Sequence, residues 1–296
     1  MKKNKKIQHY IEYISLVSFM ALLHLLPVSA ARKISVLFAK TAFTFIPIRK
    51  KHIIDSLSAA FPDKKQDEII NIAKDVYIRF ANTIVEIMFF KKMSKQQLKE
   101  MVNFQNLYLL EKAKKDGKGA ILLSAHFGNW ELLAISFAQR APLSVIVAQQ
   151  ENLLVDKLID DIRSGKGYKT IYKDNMAFKW VLKALKRNEF VAILADQDAG
   201  RQGVFVPFFG RYASTAKGPA VFALRAGCPV YASFCSRQKD GRYIATFQEI
   251  EKPDTGDEEK DIEIIMSKYS EILQENIERN PSSWFWFHRR WKTKKQ

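Results

Sequence analysis

The sequence predicts an α/β protein with a mixed central sheet flanked by helices and with N-terminal membrane-associated helices. Short apolar runs alternate with segments whose apolar residues recur at helical spacing, which is typical of strands covered by helices. A length of 296 residues, 47% of them hydrophobic, is enough for one large α/β domain. Before that domain, two apolar segments lie between clusters of basic residues.

Residues 1–48 are predicted to form a membrane-associated helical segment. Four lysines precede an apolar stretch at 7–26, and a second amphiphilic stretch follows at 34–48. Each has fewer than the about 20 apolar residues that span a bilayer, and basic residues on both sides leave no single-crossing orientation. We therefore expect two helices in the membrane interface. The alternative is a secretory signal peptide, because Val28-Ser29-Ala30 resembles a cleavage site.

The formal net charge of +17 indicates a partner of opposite sign. Nucleic acid, anionic lipid and an acidic carrier protein all qualify, but the sequence contains no zinc-finger, RNP or basic-zipper pattern, so we expect no nucleic acid. Cys228 and Cys235 are the only cysteines and form no CxxC motif. Neither a disulfide framework nor a zinc site is indicated, which fits a reducing compartment.

The central part of the chain reads as alternating helices and strands. Apolar residues recur at helical spacing between Ile53 and Phe90, with a break at Phe61-Pro62-Asp63, and Ser94 with Gln97 predicts a capping box. Later strand-like runs lie at 143–148, 169–172, 190–195 and 230–235, and helical patterns lie at 153–162 and 176–186. In such sheets, ligands bind at the carboxyl ends of the strands.

The stretch from Gly119 to Leu133 carries the candidate catalytic pair, His126 and Glu131. The apolar run 120–125 predicts a buried strand, and Asn129 predicts the N-cap of the next helix. If both residues of the pair lay in that helix, they would be roughly 140° apart. His126 must therefore lie on the turn, which Gly128 permits, so that Glu131 in the first helical turn can reach it.

A carboxylate on one imidazole nitrogen fixes the tautomer and leaves the other nitrogen free to accept a proton. His126 and Glu131 are thus predicted to act as a general base and its orienting acid. The alternative is that both residues only cap and pack the helix. Ser124 lacks a GxSxG elbow, which argues against a serine nucleophile, and the Ser164–Gly167 segment lacks P-loop spacing.

A second candidate block follows the apolar run 190–195. Asp196 and Asp198 end this predicted strand, a common location for active-site acids, and we expect both to bind substrate. No third ligand accompanies them, so no metal is predicted. Phe205, Phe208 and Phe209 are rigid apolar rings predicted to wall a substrate site, with plain core packing as the alternative.

These blocks occur in the order found in a known family. The His-x4-Glu block at 126–131 resembles the His-x4-Asp/Glu motif of the lysophospholipid acyltransferase superfamily. Within that superfamily, the chain resembles the bacterial lipid A late acyltransferases, the lauroyl/myristoyl transferases, over about residues 10–292. The Asp-Gln-Asp and Gly-x-Phe-Val-Pro-Phe-Phe-Gly blocks at 196–210 and the Trp-x-Trp-x-His-x-Arg-Trp block at 284–291 carry this resemblance. The last block, rich in aromatic and basic residues, also suits a lipid headgroup boundary.

The resemblance implies that residues 49–296 form an acyltransferase catalytic domain that needs no cofactor. It implies transfer of a fatty acyl group from acyl carrier protein to a hydroxyl of a lipid A precursor, at the cytoplasmic face of the inner membrane. Asn152 and Arg163 stand at similar distances to an Asn and an Arg of the family, so both are expected to bind substrate. Arg163 or backbone amides near Asn129 are candidates for stabilising the oxyanion.

Two other functions stay open at this point. One is an acyl-CoA-dependent acyltransferase acting on another glycolipid or a lysophospholipid. The other is a non-enzymatic, basic, membrane-bound protein that binds lipid or nucleic acid, which salt-sensitive DNA binding without acyl transfer would favour.

Overall fold

The computed structural model describes residues 3–46 and 48–295, which form helices α1–α11 and strands β1–β9. The helices are α1 (Lys3–Leu23), α2 (Val28–Phe45), α3 (Lys50–Ala60), α4 (Gln66–Phe89), α5 (Lys95–Glu100), α6 (Leu107–Lys115), α7 (Trp130–Ala138), α8 (Leu153–Ser164), α9 (Ala177–Lys186), α10 (Gly218–Ala226) and α11 (Glu258–Arg279). The strands are β1 (Val102–Phe104), β2 (Ala120–Ser124), β3 (Leu143–Val147), β4 (Lys169–Tyr172), β5 (Phe190–Leu194), β6 (Val204–Phe208), β7 (Arg211–Thr215), β8 (Val230–Arg237) and β9 (Tyr243–Ile250).

The central sheet is mixed, as predicted. Seven strands occur in the order β1-β9-β8-β2-β5-β3-β4, and all neighbouring pairs are parallel except β8 with β9. The five strands predicted from apolar runs are confirmed at β2, β3, β4, β5 and β8. Strands β1 and β9 and the separate β6–β7 hairpin were not predicted.

Side chains of the buried strands alternate between two cores, one on each face of the sheet. On β2, Ile121 and Leu123 pack into a core shared with α9, α10 and α11, and Ala120 and Leu122 pack into the opposite core with α5, α6 and α7. Helices on both faces explain why the strands are continuously apolar in sequence.

The N-terminal segment forms the two predicted helices, α1 and α2. Helix α2 packs along α4 and buries Ala31, Ala39 and Phe43, so it belongs to the packed body of the protein. Its opposite side leaves Leu37 and Phe38 exposed. Within residues 3–46 and 48–295, no helix has the length and apolar character that crossing a bilayer requires. Membrane association and a domain boundary at residue 48 stay predictions.

The register of the sheet determines the location of the site. Strands β2 and β5 are parallel neighbours, with Ser124 paired to Leu194 at their carboxyl ends. His126 and Asp196 each lie two residues beyond this pair. They are therefore brought side by side at the carboxyl ends of the two central strands.

Candidate active site

His126 lies on a tight turn between β2 and α7, as the sequence predicts. Gly128 makes the turn with φ +60°, and a Cβ atom there would lie 1.7 Å from the carbonyl oxygen of Cys235. Only glycine fits so close an approach of two backbones. Asn129 then caps α7, because its Oδ1 accepts a hydrogen bond from the Leu132 amide at 2.9 Å.

The carboxylate that binds His126 is that of Asp196. Its Oδ1 lies 2.9 Å from His126 Nδ1, and its Oδ2 accepts hydrogen bonds from the His126 amide at 3.0 Å and from Trp284 Nε1 at 2.9 Å. Complete burial tends to raise the pKa of Asp196, but the His126 ring and these donors outweigh it, so the pKa lies below its usual value. The anion accepts a hydrogen bond from Nδ1–H. Nε2 is then the ring nitrogen that is free to accept a proton.

The predicted contact of Glu131 with His126 is wrong. Among the described residues, Glu131 binds Arg163 and Tyr168: Arg163 Nε donates to Oε2 at 3.2 Å, a terminal guanidinium nitrogen contacts Oε1, and the Tyr168 hydroxyl donates to Oε2 at 2.7 Å. These donors lie on α8 and at the start of β4. They satisfy both oxygens of the carboxylate away from the imidazole.

The Glu131 carboxylate also shifts the pKa values of the two residues that bind it. Burial tends to lower the pKa of Arg163, but the Glu131 carboxylate outweighs it and holds the pKa above its usual value. Burial and the same carboxylate raise the pKa of Tyr168. Arg163 is therefore a permanent cation that binds Glu131 through Nε and one terminal nitrogen and also lines the cavity described below, so its substrate-binding role stays a prediction.

Two other predicted substrate-binding residues, Asn152 and Asp198, form hydrogen bonds between distant parts of the chain. Asn152 caps α8 through its Oδ1, and its amide nitrogen donates to the His9 carbonyl and to Glu12, both at 2.9 Å, so it fastens α1 to α8. Asp198 accepts hydrogen bonds from the amide and hydroxyl of Thr293 at 3.1 and 2.9 Å. Asp198 still lines the cavity described below, whereas Asn152 is not among its described lining residues.

The three phenylalanines predicted to wall a substrate site do not line the cavity described below. Phe205, Phe208 and Phe209 belong to the β6–β7 hairpin and its turn. Phe208 packs on Trp284 with ring centroids 5.5 Å apart, and Phe209 packs on Phe208 and Trp286. None of the three is among the described lining residues of the cavity. The hairpin packs on α11 and on the C-terminal tryptophans, which explains why Phe208 and Phe209 form core instead, whereas Phe205 is half-buried.

The aromatic C-terminal block is also internal rather than interfacial. Trp284 and Trp286 are fully buried, and the segment hydrogen-bonds the turn that carries His126: the Phe285 amide donates to the His126 carbonyl at 2.9 Å, and the Gly128 amide donates to the Ser283 carbonyl at 2.8 Å. These contacts fix the backbone of the turn against the C-terminal segment.

An apolar cavity of about 660 Å³ opens beside His126. Its size is within the range of pockets for small molecules. Its apolar walls come from β2, α7, β3, β5 and β9, through Leu122, Leu133, Ala134, Phe137, Leu143, Val145, Ala192 and Phe247. His126, Glu131 and Arg163 provide polar groups along it. Such a cavity suits an apolar chain that carries one polar, reactive end.

Aromatic rings flank the imidazole at the cavity mouth. Trp130 and Phe285 have ring centroids 5.0 and 5.9 Å from that of His126. The His126 side chain keeps 24% of its surface exposed, so a substrate can reach it. Within residues 3–46 and 48–295, no group of three or more His, Cys, Asp or Glu side chains is arranged to hold a metal ion.

Comparison with known proteins identifies relatives along nearly the whole chain. The family model described as bacterial lipid A biosynthesis acyltransferase matches residues 1–293. The chain is 26% identical to the lipid A biosynthesis lauroyltransferase of Escherichia coli over 86% of this chain and 83% of the relative. It is 23% identical to the palmitoleoyltransferase of the same organism, over 84% and 81%. It is 22% identical to the phosphatidylinositol mannoside acyltransferase of Mycolicibacterium smegmatis, over 78% and 74%.

Proposed function

The chain belongs to the bacterial lipid A biosynthesis acyltransferase family, and from this premise we propose that it transfers a fatty acyl group from an acyl thioester to a hydroxyl of a glycolipid. The observation that carries the proposal is the His126–Asp196 pair at the mouth of the apolar cavity. The pair supplies a base, and the cavity accommodates the chain that is transferred.

His126 is the general base of the proposed reaction. With Nδ1–H held by Asp196, Nε2 takes the proton of the acceptor hydroxyl. The oxygen attacks the thioester carbonyl carbon, the new C–O bond forms and the C–S bond breaks. The imidazolium, stabilised by the Asp196 anion, returns the proton to the departing thiolate. Neither a covalent acyl-enzyme nor a cofactor is required.

Backbone amides at the start of α7 are the proposed oxyanion donors. The first i→i−4 hydrogen bond of this helix runs from the Leu133 amide to the Asn129 carbonyl, so the helix offers the amides of Trp130 and Glu131 no acceptor. Both residues line the cavity, and the positive end of the helix dipole favours an anion there. In this proposal Arg163 binds Glu131 and keeps that side chain in place in the cavity wall.

The donor we propose is acyl carrier protein, whose acidic surface would complement the net charge of +17. The acceptor we propose is a lipid A precursor. A second acceptor class, a mannosylated phospholipid, is favoured by the similarity to the mycobacterial phosphatidylinositol mannoside acyltransferase.

Purified protein should be offered labelled acyl carrier protein and labelled acyl-CoA, each with a lipid A precursor, phosphatidylinositol mannoside or a lysophospholipid. Label transfer from the carrier protein to the lipid A precursor, and weaker transfer in every other combination, is the expected result. A preference for acyl-CoA or for another acceptor would replace that part of the proposal. Absence of transfer with every pair would overturn it.

We also propose that α1 and α2 bind the cytoplasmic face of the inner membrane. Most large apolar side chains that are exposed among the described residues lie between Ile7 and Ile48. We expect the double variant Leu37→Glu/Phe38→Glu, whose wild-type side chains are 67% and 66% exposed, to weaken vesicle binding by roughly tenfold or more. Co-sedimentation with phosphatidylethanolamine–phosphatidylglycerol vesicles measures this.

The matched control for the membrane prediction is Tyr108→Glu, which adds a charge at an equally exposed apolar residue on α6. It should bind vesicles like the wild-type protein. Equal binding by the α2 double variant would assign membrane attachment to another surface.

A further inference from the structure

We propose that Glu86 is a positioning residue of the catalytic turn and that Arg32 couples it to α2. The proposal rests on the role of His126 in the proposed function, but the contacts themselves stand independently. Three groups form the connection: Arg32 on α2, Glu86 on α4 and Asn129 on the turn itself. Through them, the helix that presents the exposed apolar surface is joined to the residues that carry the chemistry.

Glu86 is a completely buried carboxylate whose two oxygens face different partners: Oε2 accepts two hydrogen bonds, and Oε1 faces two guanidinium groups as ion pairs. Its Oε2 accepts hydrogen bonds from Asn129 Nδ2 at 2.7 Å and from the Tyr243 hydroxyl at 2.5 Å. Its Oε1 lies 2.8 Å from an Arg32 guanidinium nitrogen and 3.9 Å from Arg237 Nε. Burying a charge in this way is costly unless it is paired, and an apolar residue on α4 would pack at lower cost. Stability alone therefore gives little reason for a carboxylate here.

The group that Glu86 holds is the cap of the catalytic helix. Asn129 is completely buried and uses both ends of its side chain: Nδ2 donates to Glu86, and Oδ1 accepts from the Leu132 amide at 2.9 Å. Glu86 thus orients the amide of Asn129, and Asn129 fixes where α7 begins. The start of α7 carries the two amides assigned to the oxyanion and lies four residues from His126. One turn earlier on α4, the Thr83 hydroxyl donates to the Gly128 carbonyl at 3.3 Å.

Arg32 connects this cluster to the exposed surface of α2. Its side chain is 22% exposed and points inward at Glu86, whereas Leu37 and Phe38 on the same helix are exposed. Because α2 packs along α4, a displacement of α2 would move the counter-ion of Glu86. With only Arg237 left, 3.9 Å away, the buried carboxylate then attracts other donors or water, and the cap is no longer held in one geometry. Turnover should therefore depend on whether α2 is seated.

The test combines four variants of the full-length protein with two measurements. Glu86→Ala removes the acceptor of Asn129, Glu86→Gln keeps an acceptor, Arg32→Met removes the counter-ion, and Arg32→Met/Glu86→Gln removes the buried charge pair as a whole. The measurements are kcat and KM with the donor and acceptor that the wild-type protein uses, and hydrogen–deuterium exchange of the segment 126–137. Arg225→Met is the control, because it breaks an exposed arginine–glutamate pair between α10 and α11.

We expect Glu86→Ala to lower kcat by about 10²-fold and Arg32→Met by roughly tenfold, with the KM of the donor unchanged. Exchange in 126–137 should accelerate in both variants, while exchange in β5 stays at the wild-type rate. Glu86→Gln and the double variant should recover most of kcat, because both keep a side-chain oxygen that accepts from Asn129 Nδ2, which Glu86→Ala lacks, and neither contains a buried carboxylate that has lost Arg32. Arg225→Met should match the wild-type protein, and vesicle binding of Arg32→Met should be unchanged.

Wild-type kcat in Glu86→Ala and Arg32→Met, or exchange rates raised equally across the sheet, would overturn the positioning role. If no donor and acceptor support turnover, the exchange measurement still decides it. If His126→Ala is inactive while both of these variants are fully active, the positioning role of Glu86 and its coupling to α2 are both wrong, and the proposed function survives.

Discussion

Replacing His126 with alanine is expected to lower kcat by about 10²–10⁴-fold, the usual contribution of a positioned general base. The variant keeps the cavity and the amides at the start of α7, so the KM of the acyl donor should stay near that of the wild-type protein. Steady-state acyl transfer with the preferred donor and acceptor measures both quantities.

The matched control is His52→Ala, which removes an imidazole that contacts the His288 carbonyl 3.1 Å away on the far side of the C-terminal segment. It should retain wild-type kcat. Near-normal turnover by His126→Ala would exclude the general-base mechanism, whatever the behaviour of the control.

Asp196→Asn is expected to reduce kcat on the order of 10³-fold while keeping the fold. The asparagine oxygen can still accept from Trp284 Nε1 and from the His126 amide. Its NH₂ group then faces Nδ1, which must become an acceptor, so the proton moves to Nε2 and the ring can no longer deprotonate the acceptor hydroxyl. Kinetics with the same substrates measure the loss.

The contrasting variant is Glu131→Gln. It leaves the Arg163 guanidinium, which is only 19% exposed, without its anion, and breaking such a buried pair costs about 3–5 kcal/mol. We expect a lower free energy of unfolding in Glu131→Gln, measured by denaturant titration, and almost none of this loss in Asp196→Asn. If Glu131→Gln lost only turnover and Asp196→Asn lost only stability, the assignment of the two carboxylates would be reversed.

The locations of the candidate residues along the chain were largely readable in the sequence. The apolar run before His126, the glycine at 128 and the cap at Asn129 are local signals, and the strand, turn and helix that they predict all form. Asp196 was singled out for the same local reason, as an acid directly after an apolar strand. The pairing of Asp196 with His126 was not predicted, because it depends on which strands are neighbours in the sheet.

Other candidate residues also show that local signals predict where a residue lies but not what it contacts. The spacing of His126 and Glu131 suggested a contact along the chain, but α7 directs Glu131 toward α8, where Arg163 and Tyr168 bind it. The aromatic residues at 205–209 have the composition of an acyl site and of a core, and only their packing against the C-terminal tryptophans decides for the core. The cavity beside His126 is built instead from ordinary apolar residues of several strands and helices, which carry no sequence signal of function.

The sequence by itself determined the α/β class, the central strands, the turn that carries His126 and the family, because these depend on local periodicity, turn chemistry and the order of motifs. Only the tertiary structure decided which carboxylate serves His126, which residues wall the cavity and how Glu86 reaches the turn. Asp196 is 70 positions from His126 and Glu86 is 43 from Asn129. Such contacts are set by strand order and helix packing, and no periodicity in a single chain encodes them.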